Sequence, residues 1–284
     1  MLVVKVNGHK MRAQVAGMQH YQREQPVVVF ESGSGAGLEA WARVLPEIAG
    51  FAPVVGYDRS GIGQSEPDGH RPTPQHVAQN LHSLLEEIGL KAPYVLVGHS
   101  FGGPFIRMFT GMYPSTVAGL VYVDPTEMWS EKDELDFYQA MGVSAEDLME
   151  QKRKIRKLGA QFTAQAPPGL KADFEVFKEL YYDTYFADFR SLPLLPRIPV
   201  SVLMHARLDP AKYPPGLFPC KPEDCHARYL PLRMAWLSAL ALDSSDGTFT
   251  LATSSGHSVQ DDDPNLVIWA IRRVVLAARN PHEQ

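Results

Sequence analysis

A serine stands at the centre of the run Gly98-His99-Ser100-Phe101-Gly102, and this run constrains the fold more than any other feature of the chain. The apolar stretch Tyr94-Val95-Leu96-Val97 comes directly before it, and a segment that can be helical follows. We therefore expect a strand, a sharp turn and a helix, with the serine at the tip of the turn. Glycine on both flanks permits such a tight bend. The Ser100 hydroxyl would then be exposed as a candidate nucleophile.

The pattern Gly-x-Ser-x-Gly alone is weak, because a chain of this length carries it by chance roughly one time in ten. Its weight comes from the residues that follow along the chain. Asp209 comes after the apolar run 200–204, and His257 lies in the small-residue segment Ser254–Val259. The chain order serine, acid, histidine differs from the two protease orders His-Asp-Ser and Asp-His-Ser. It favours a catalytic triad in which Ser100 is the nucleophile.

Two aspartates are candidates for the acid of this triad. Asp209 precedes Pro210 at the exit from the predicted strand 200–204, and Asp124 precedes Pro125 at the end of the strand before it. Both exits would lie at the carboxyl edge of a parallel sheet, where ligands bind, although an aspartate before a proline is commonly only a turn residue. Most enzymes with this chain order carry their acid at an exit like that of Asp209. We therefore favour Asp209 and keep Asp124 as the alternative.

His257 is the best candidate for the base among the ten histidines. Its loop follows the last predicted strand, where the backbone can approach the serine turn. His99 is next to Ser100, but its side chain should point elsewhere. His205 lies in a strand and is expected to pack in the core. A surface histidine in a polar loop is the alternative interpretation of His257.

Acyl transfer also needs hydrogen-bond donors at the place where negative charge develops on the substrate oxygen. The backbone N–H of Phe101, the residue after the serine, is one candidate. The second donor is expected in the glycine-rich loop 31–37, which follows the predicted strand 27–30, and we predict the N–H of Ser34. A phosphate-binding loop is the rival interpretation of this segment, but no Gly-Lys-Ser/Thr sequence ends it.

Predicted strands and helices alternate along most of the chain, which favours a mostly parallel central sheet flanked by helices. The segment 126–197 breaks this alternation because it is expected to be wholly helical and is rich in aromatic residues. We interpret it as a helical lid inserted between two late strands, so that residues 1–125 and 198–284 form the α/β core. The basic run 151–157 is typical of a solvated helix face.

The chain resembles the α/β-hydrolase fold superfamily over nearly its whole length. The resemblance rests on Tyr57–Ser65 (YDRSGIGQS), on Val97–Gly103 (VGHSFGG), on the exit at Asp209 and on the loop Gly256-His257. It implies a Ser-His-Asp hydrolase with a helical cap, most often an esterase, that needs no cofactor. Many members carry His-Gly in the loop that holds the oxyanion, where this chain has Ser32-Gly33.

Composition and charge argue against several classes of protein. Hydrophobic residues make up 45% of the chain and charged residues 21%, as in ordinary globular proteins. The net charge of −5 gives no reason to expect nucleic acid or an anionic membrane as a partner. No apolar run reaches the roughly 18 residues that a membrane span needs, and the N-terminus lacks the features of a signal peptide. We therefore expect a cytoplasmic protein.

The chain has two cysteines, Cys220 and Cys225. Two residues cannot form a disulfide framework. Asp224 and His226 lie beside them, but a second pair of ligands for a zinc site is not evident. Free thiols or one local disulfide are expected, and no metal.

Together these residues predict a serine hydrolase that cleaves a carboxylic ester, or a related acyl bond, through an acyl-enzyme. Amides, lactones and the peptides of an aminopeptidase stay open as substrates, because the same triad attacks all of them. Two alternatives come from other classes. One is a ligand-binding receptor of the same fold, and the other is a lyase without a cofactor that uses the triad as acid and base. In each case the expected partner is a small molecule.

Overall fold

One sheet lies at the centre of the molecule. The computed structural model describes residues 1–144, 146–208, 219–244 and 246–279, and only the backbone of Phe162. Within these residues the sheet has eight strands: β1 (Leu2–Val6), β2 (His9–Ala16), β3 (Val27–Glu31), β4 (Val54–Tyr57), β5 (Tyr94–His99), β6 (Val117–Val123), β7 (Pro199–His205) and β8 (Asp246–Ala252). Their order in space is β1-β2-β4-β3-β5-β6-β7-β8. Strands β3 to β8 run parallel to one another, while β2 pairs antiparallel with both β1 and β4. The predicted fold class is confirmed.

Helices follow most of the parallel strands. They are α1 (Leu45–Ile48), α2 (Pro74–Ile88), α3 (Gly102–Met112), α4 (Glu131–Ala140), α5 (Leu148–Thr163), α6 (Pro168–Lys178), α7 (Ala187–Arg190), α8 (Pro222–Leu242), α9 (Val259–Asp262) and α10 (Pro264–Arg279). A π-helical turn, Glu179–Asp183, follows α6. Helices α4 to α7 lie between β6 and β7, in the segment for which the sequence predicts helices. That 126–197 forms a domain of its own stays a prediction.

The parallel strands β3 to β7 are buried on both faces, as their apolar runs indicate. Along β3 the side chains alternate between two core clusters. Val27 and Val29 pack with residues of α2, α3 and α8, whereas Val28 and Phe30 pack with residues of α1 and α10 on the other face. The sheet is therefore the middle layer of three. Its carboxyl edge is left for the loops that follow the strands.

Two local signals in the sequence form the structures that they predict. Asn7 and Gly8 join β1 to β2 with φ angles of 48° and 96°, and two positive φ angles are typical of a two-residue hairpin turn. Thr73 caps α2, since its side chain accepts the N–H of His76 at 3.3 Å.

Two contacts outside the core refine the expectations from the sequence. Lys152, in the basic run of α5, pairs with the buried Glu134 of α4 and donates to the Tyr185 hydroxyl at 2.8 Å. This lysine therefore joins lid helices, whereas the sequence predicted a solvated face. Cys220 and Cys225 form a disulfide at the beginning of α8. Among the described helices, none has the length and apolar composition that a membrane crossing requires.

Gly119 on β6 lies directly beneath α10. A Cβ atom at this position would come within 2.3 Å of Val274 Cγ1, and Val274 is fully buried. We expect Gly119→Ala to lower the free energy of unfolding by about 1–3 kcal/mol, because a methyl group forced into a packed core displaces its neighbours. Urea unfolding followed by circular dichroism measures the loss.

The double variant Gly119→Ala/Val274→Ala is the control for this explanation. Val274→Ala alone leaves a cavity, which the added methyl group at position 119 would partly fill. The double variant should therefore lose less stability than the sum of the two single variants. Strictly additive losses would show that the overlap with Val274 is not the cause.

Candidate active site

The serine turn lies between β5 and α3, at the carboxyl edge of the sheet. Ser100 has a φ angle of 53°, in the left-handed region that non-glycine residues rarely adopt. A Cβ atom on Gly98 would lie 2.6 Å from the carbonyl oxygen of Gly102, and one on Gly102 would lie 2.4 Å from the carbonyl oxygen of Glu31. Both glycines are therefore needed for space. The predicted strand, sharp turn and helix around Ser100 are all present.

His257 lies in the loop between β8 and α9, with its imidazole beside the serine. Its Nε2 atom is 2.9 Å from Ser100 Oγ, and half of its side chain is exposed. The neighbouring His99 Nε2 lies 3.0 Å from the carbonyl oxygen of His257. Burial, followed by the nearby His257, lowers the pKa of His99 to about 3. A neutral His99 can donate this hydrogen bond and hold the backbone of the His257 loop.

The carboxylate in contact with His257 belongs to Asp124. Asp124 Oδ2 lies 2.5 Å from His257 Nδ1, and the residue is fully buried with a φ angle of 46°. Its turn follows β6, the neighbour of β5, and is bonded to the serine turn. The N–H of Ser100 donates to the carbonyl oxygen of Val123 at 3.2 Å, and the N–H of Thr126 donates to that of Ser100 at 2.9 Å.

The structure describes only one of the two candidates for the acid. Asp124, the alternative from the sequence, is in hydrogen-bond contact with His257. Asp209, the favoured residue, lies outside the described residues. Chain order could not separate the two, because both lie between Ser100 and His257.

The sequence predicted that His205 packs in the core, and this prediction is wrong. Its Nδ1 atom lies 2.6 Å from Asp124 Oδ2, and its backbone N–H donates to Asp124 Oδ1 at 2.9 Å. The reason is its place at the last position of β7, the strand next to β6. The side chain therefore lies at the carboxyl edge, beside the turn of Asp124.

A buried arginine completes the surroundings of Asp124. Arg233 of α8 donates from Nη1 to Asp124 Oδ1 at 2.7 Å, and only 5% of the residue is exposed. Burial alone would raise the pKa of Asp124. The charge of Arg233 and the hydrogen bonds from His205 and His257 outweigh this effect and hold the pKa well below its usual range. The carboxylate is therefore ionised at neutral pH.

A metal ion is one other use that these side chains could have. Asp124, His205 and His257 each offer one ligand atom, and the three atoms lie within 4.8 Å of one another. In this arrangement Asp124 Oδ2 is within hydrogen-bond distance of both imidazoles. The cation of Arg233 already lies on the other oxygen. The hydrogen bonds from His205, His257 and Arg233 therefore satisfy the Asp124 carboxylate, and Arg233 neutralises its charge.

The glycine-rich loop after β3 approaches the serine turn from the other side. A Cβ atom on Gly33 would lie 3.1 Å from Ser100 Cβ, so the loop backbone is in close contact with the serine. Among the hydrogen bonds of the described residues, the N–H groups of Ser34 and Phe101 have no protein acceptor. The hydrogen-bonding capacity of both N–H groups predicted as oxyanion donors is therefore not used by this part of the protein.

Arg59 holds the backbone of this loop by hydrogen bonds. Its guanidinium donates to the carbonyl oxygens of Ser32 and Gly33 at 2.6 and 2.8 Å. Two carboxylates neutralise it, Glu31 at 2.7 Å and Asp173 at 2.6 Å. Arg59 is 4% exposed, so these contacts are shielded from water. The backbone at Ser32-Gly33 is therefore held by the buried Arg59.

Asp173 ties the lid to the same loop. It belongs to α6, and its Oδ2 accepts the N–H of Gly35 at 2.8 Å as well as the Arg59 hydrogen bond. The beginning of α6 packs closely here. A Cβ atom on Gly35 would lie 2.6 Å from Leu170 Cδ1. Arg59 lies in the segment Tyr57–Ser65 on which the family resemblance rests, but its pairing with Asp173 could not be predicted, because a pair separated by more than a hundred residues leaves no local pattern.

Aromatic side chains of the lid continue from the serine turn. Phe101 contacts Phe177 at 5.6 Å between ring centroids, Phe177 stacks on Tyr181 at 4.9 Å, and Tyr181 meets Trp129 at 4.2 Å. Beyond them lies a cavity of about 160 Å³. It is lined by Trp129, Phe137, Tyr138, Ile155, Tyr181, Tyr182, Pro219 and Tyr229. The lid therefore holds an apolar cavity connected to the serine turn by aromatic contacts.

Known proteins share this architecture. Residues 26–160 match the family model described as alpha/beta hydrolase fold. A thermophilic esterase from Thermogutta terrifontis superposes with a TM-score of 0.62 over 98% of both chains, at 19% identity. The chain has the α/β-hydrolase fold. The epoxide hydrolase CorEH also has this fold, with a TM-score of 0.63, 14% identity and coverage of 97% of this chain and 98% of its own.

Curated relatives of this α/β-hydrolase-fold protein match over shorter stretches. The uncharacterized protein YqjL of Bacillus subtilis is 32% identical over 98 residues, which are 34% of this chain and 39% of that protein. The first curated relatives are covered over only 18 to 39% of their own length. These matches cover 34 to 43% of this chain.

The ion pair between Arg59 and Asp173 allows a test of how the lid is held. Asp173→Asn keeps the shape of the side chain but leaves the buried arginine with one carboxylate. We expect a loss of about 2–3 kcal/mol in the free energy of unfolding, below the 3–5 kcal/mol for a buried charge left without any partner. Urea unfolding measures it.

Glu175→Gln on the same helix is the matched control. Glu175 pairs with Lys178 on the surface, where its side chain is 55% exposed. Such a pair contributes about 0.5 kcal/mol or less. Equal stability losses in the two variants would contradict a special role of Asp173.

Proposed function

We propose that this α/β-hydrolase-fold protein is a serine hydrolase that cleaves a carboxylic ester, or a related acyl bond, through an acyl-enzyme. One observation carries the proposal. A hydrogen-bonded series runs from Ser100 Oγ to His257 Nε2 at 2.9 Å and from His257 Nδ1 to Asp124 Oδ2 at 2.5 Å. Nucleophile, base and orienting acid in mutual contact are what this chemistry needs.

The proposed reaction has two halves. Ser100 Oγ attacks the acyl carbon while His257 Nε2 takes the hydroxyl proton, and the tetrahedral intermediate carries its charge on the former carbonyl oxygen. The bond to the leaving alcohol then breaks as His257 returns the proton to the alcohol oxygen. In the second half, water attacks the acyl-enzyme with His257 again as the base. The carboxylic acid leaves and Ser100 recovers its proton.

Asp124 is the acid in this proposal. Its contact with His257 Nδ1 supports this role, and so does its low pKa, which keeps the carboxylate charged when the imidazole becomes an imidazolium. An ionised partner at Nδ1 also holds the proton on that nitrogen, so that Nε2 faces the serine as an acceptor. Asp209 stays the alternative from the sequence.

The N–H groups of Phe101 and Ser34 are the proposed donors to the oxyanion. Their support is their position on the two backbone segments that meet at Ser100, together with their free hydrogen-bonding capacity among the described residues. Arg59 would act on this site indirectly. Its bonds to the carbonyl oxygens of Ser32 and Gly33 orient the peptide groups of the loop.

The substrate in this proposal is a small molecule with an apolar acyl or alcohol group. The aromatic cavity of the lid supports this view, because its volume of about 160 Å³ is close to that of a cavity which accommodates one benzene ring, about 150 Å³. Its walls include rings that continue from Phe101. The structural neighbours include an esterase, which agrees with an ester substrate.

Ser100→Ala is the direct test. Hydrolysis of p-nitrophenyl butyrate should fall by about 10³-fold or more, because no other group in the site can form the acyl-enzyme. A fluorophosphonate probe should label the unchanged protein and not the variant. Ser191→Ala, which removes an exposed hydroxyl directly after α7, should keep full labelling. Full turnover by Ser100→Ala would disprove the mechanism.

A comparison of Asp124→Asn with Asp209→Asn tests the acid. We expect a loss of about 10³- to 10⁴-fold in kcat for Asp124→Asn, since the amide neither stabilises the imidazolium nor selects its tautomer. For Asp209→Asn we expect a change of less than about threefold, as for a turn residue. Both variants are assayed after circular dichroism has shown that they are folded. The reverse order of losses would make Asp209 the acid.

A further inference from the structure

Arg233 donates hydrogen bonds to three residues of the turn 124–127, which begins with the acid of the proposed triad. Its Nη1 donates to Asp124 Oδ1 at 2.7 Å, and its Nη2 donates to the carbonyl oxygen of Pro125 at 3.1 Å. Its Nε donates to Glu127. One rigid guanidinium therefore fixes the whole turn that begins with the acid. Tyr229 donates to the same Glu127 at 2.8 Å, which places a wall of the aromatic cavity on this network.

Helix α8 brings the guanidinium to this place by its spacing. Cys225, Arg233, Leu237 and Ala241 are its buried residues, and they lie at multiples of four positions. Arg233 thus occupies a core-facing position at which an apolar residue is the norm. A charge buried there is costly unless it is paired. Both of its carboxylate partners come from the turn after β6.

We propose that Arg233 is a positioning residue of the Ser100-His257-Asp124 triad, which fixes the Asp124 carboxylate through Oδ1 and, together with Glu127, sets the charge around His257. This inference rests on the proposed function. It concerns a residue outside the triad that does not touch the reacting atoms.

The geometry shows why an anchor on Oδ1 matters. Asp124 Oδ2 lies within hydrogen-bond distance of two imidazoles, those of His257 and His205, at 2.5 and 2.6 Å. Rotation of the carboxylate about its Cβ–Cγ bond would favour one imidazole over the other. Arg233 and the N–H of His205 oppose this rotation because both hold Oδ1. A lysine has one charged point and no planar fork, so it cannot hold Asp124, Pro125 and Glu127 together.

The charges that face His257 can be named from each neighbouring element. Asp124 follows β6, His99 ends β5, His205 ends β7 and Arg233 comes from α8. The exposed pair Arg207 and Asp262 flanks the loop of His257. Arg233 and its partner Glu127 are both buried, and their charges have opposite signs. Removing the positive charge should favour the imidazolium form of His257, and removing the negative charge should disfavour it.

The test uses the full chain and a fluorophosphonate probe, so that no natural substrate is needed. The second-order rate of Ser100 labelling is measured from pH 5 to 9, and its acid limb reports the protonation of His257. For Arg233→Gln we expect the rate at the optimum to fall about tenfold or more, from the misplaced acid. The midpoint of the acid limb should rise by about one pH unit. Arg233→Lys should lose rate with little movement of the midpoint, because the charge remains.

Glu127→Gln is the variant of opposite sign. It leaves the Arg233 charge less compensated, so the midpoint of the acid limb should move to lower pH, by about half a unit to one unit. This variant also decides the test if the Arg233 variants do not fold. Arg273→Gln on α10, which breaks a partly buried pair with Asp246 of β8, should change neither the rate nor the midpoint.

The outcomes separate three possibilities. Opposite shifts of the midpoint support the proposal. Folded variants whose rates stay within twofold and whose midpoints do not move would show that Arg233 has only a structural role, and the inference would be overturned while the proposed function stands. If the unchanged protein is not labelled at Ser100, the proposed function fails, and the positioning role fails with it.

Discussion

The buried carboxylate of Asp124 is the interaction on which the rest of this site depends. An ionised group without water must be neutralised and fully hydrogen-bonded. Four donor groups, from the end of β7, from α8 and from the loop after β8, meet this need. Because they belong to segments far apart in the chain, the anion that contacts His257 also holds these segments together at the carboxyl edge of the sheet.

A second buried charge organises the opposite side of Ser100. Arg59 donates hydrogen bonds to two carbonyl oxygens of the glycine-rich loop, and Glu31 and Asp173 neutralise its charge. Since Asp173 belongs to α6, the loop proposed to hold the oxyanion and the helical segment 126–197 share one ion pair. Ser100 therefore lies between two buried charge clusters. One comes from the turn after β6, and the other comes from the ends of β3 and β4.

Sequence patterns predicted the frame of this site better than its charges. The apolar run before Ser100 and the two glycines beside it predict the strand and turn, because they depend on local sterics alone. The approach of His257 to the serine turn could be predicted because its loop follows the last strand. The environment of Asp124 could not be read in this way, since β6 and β7 become neighbours only in the sheet. One signal was present for Arg233: it lies four positions before Leu237 and eight before Ala241, on the apolar face of α8.

The sequence by itself determined the class of fold, the position of a strained serine and a short set of partners for it. These follow from residue type and from distances of a few residues along the chain. Only the tertiary structure decided which charges surround the acid, that His205 is one of its partners and that the lid is tied to the glycine-rich loop. The physical reason is that burial makes each of these ionic contacts obligatory. Which groups are buried together depends on the order of strands in the sheet, and no local pattern records it.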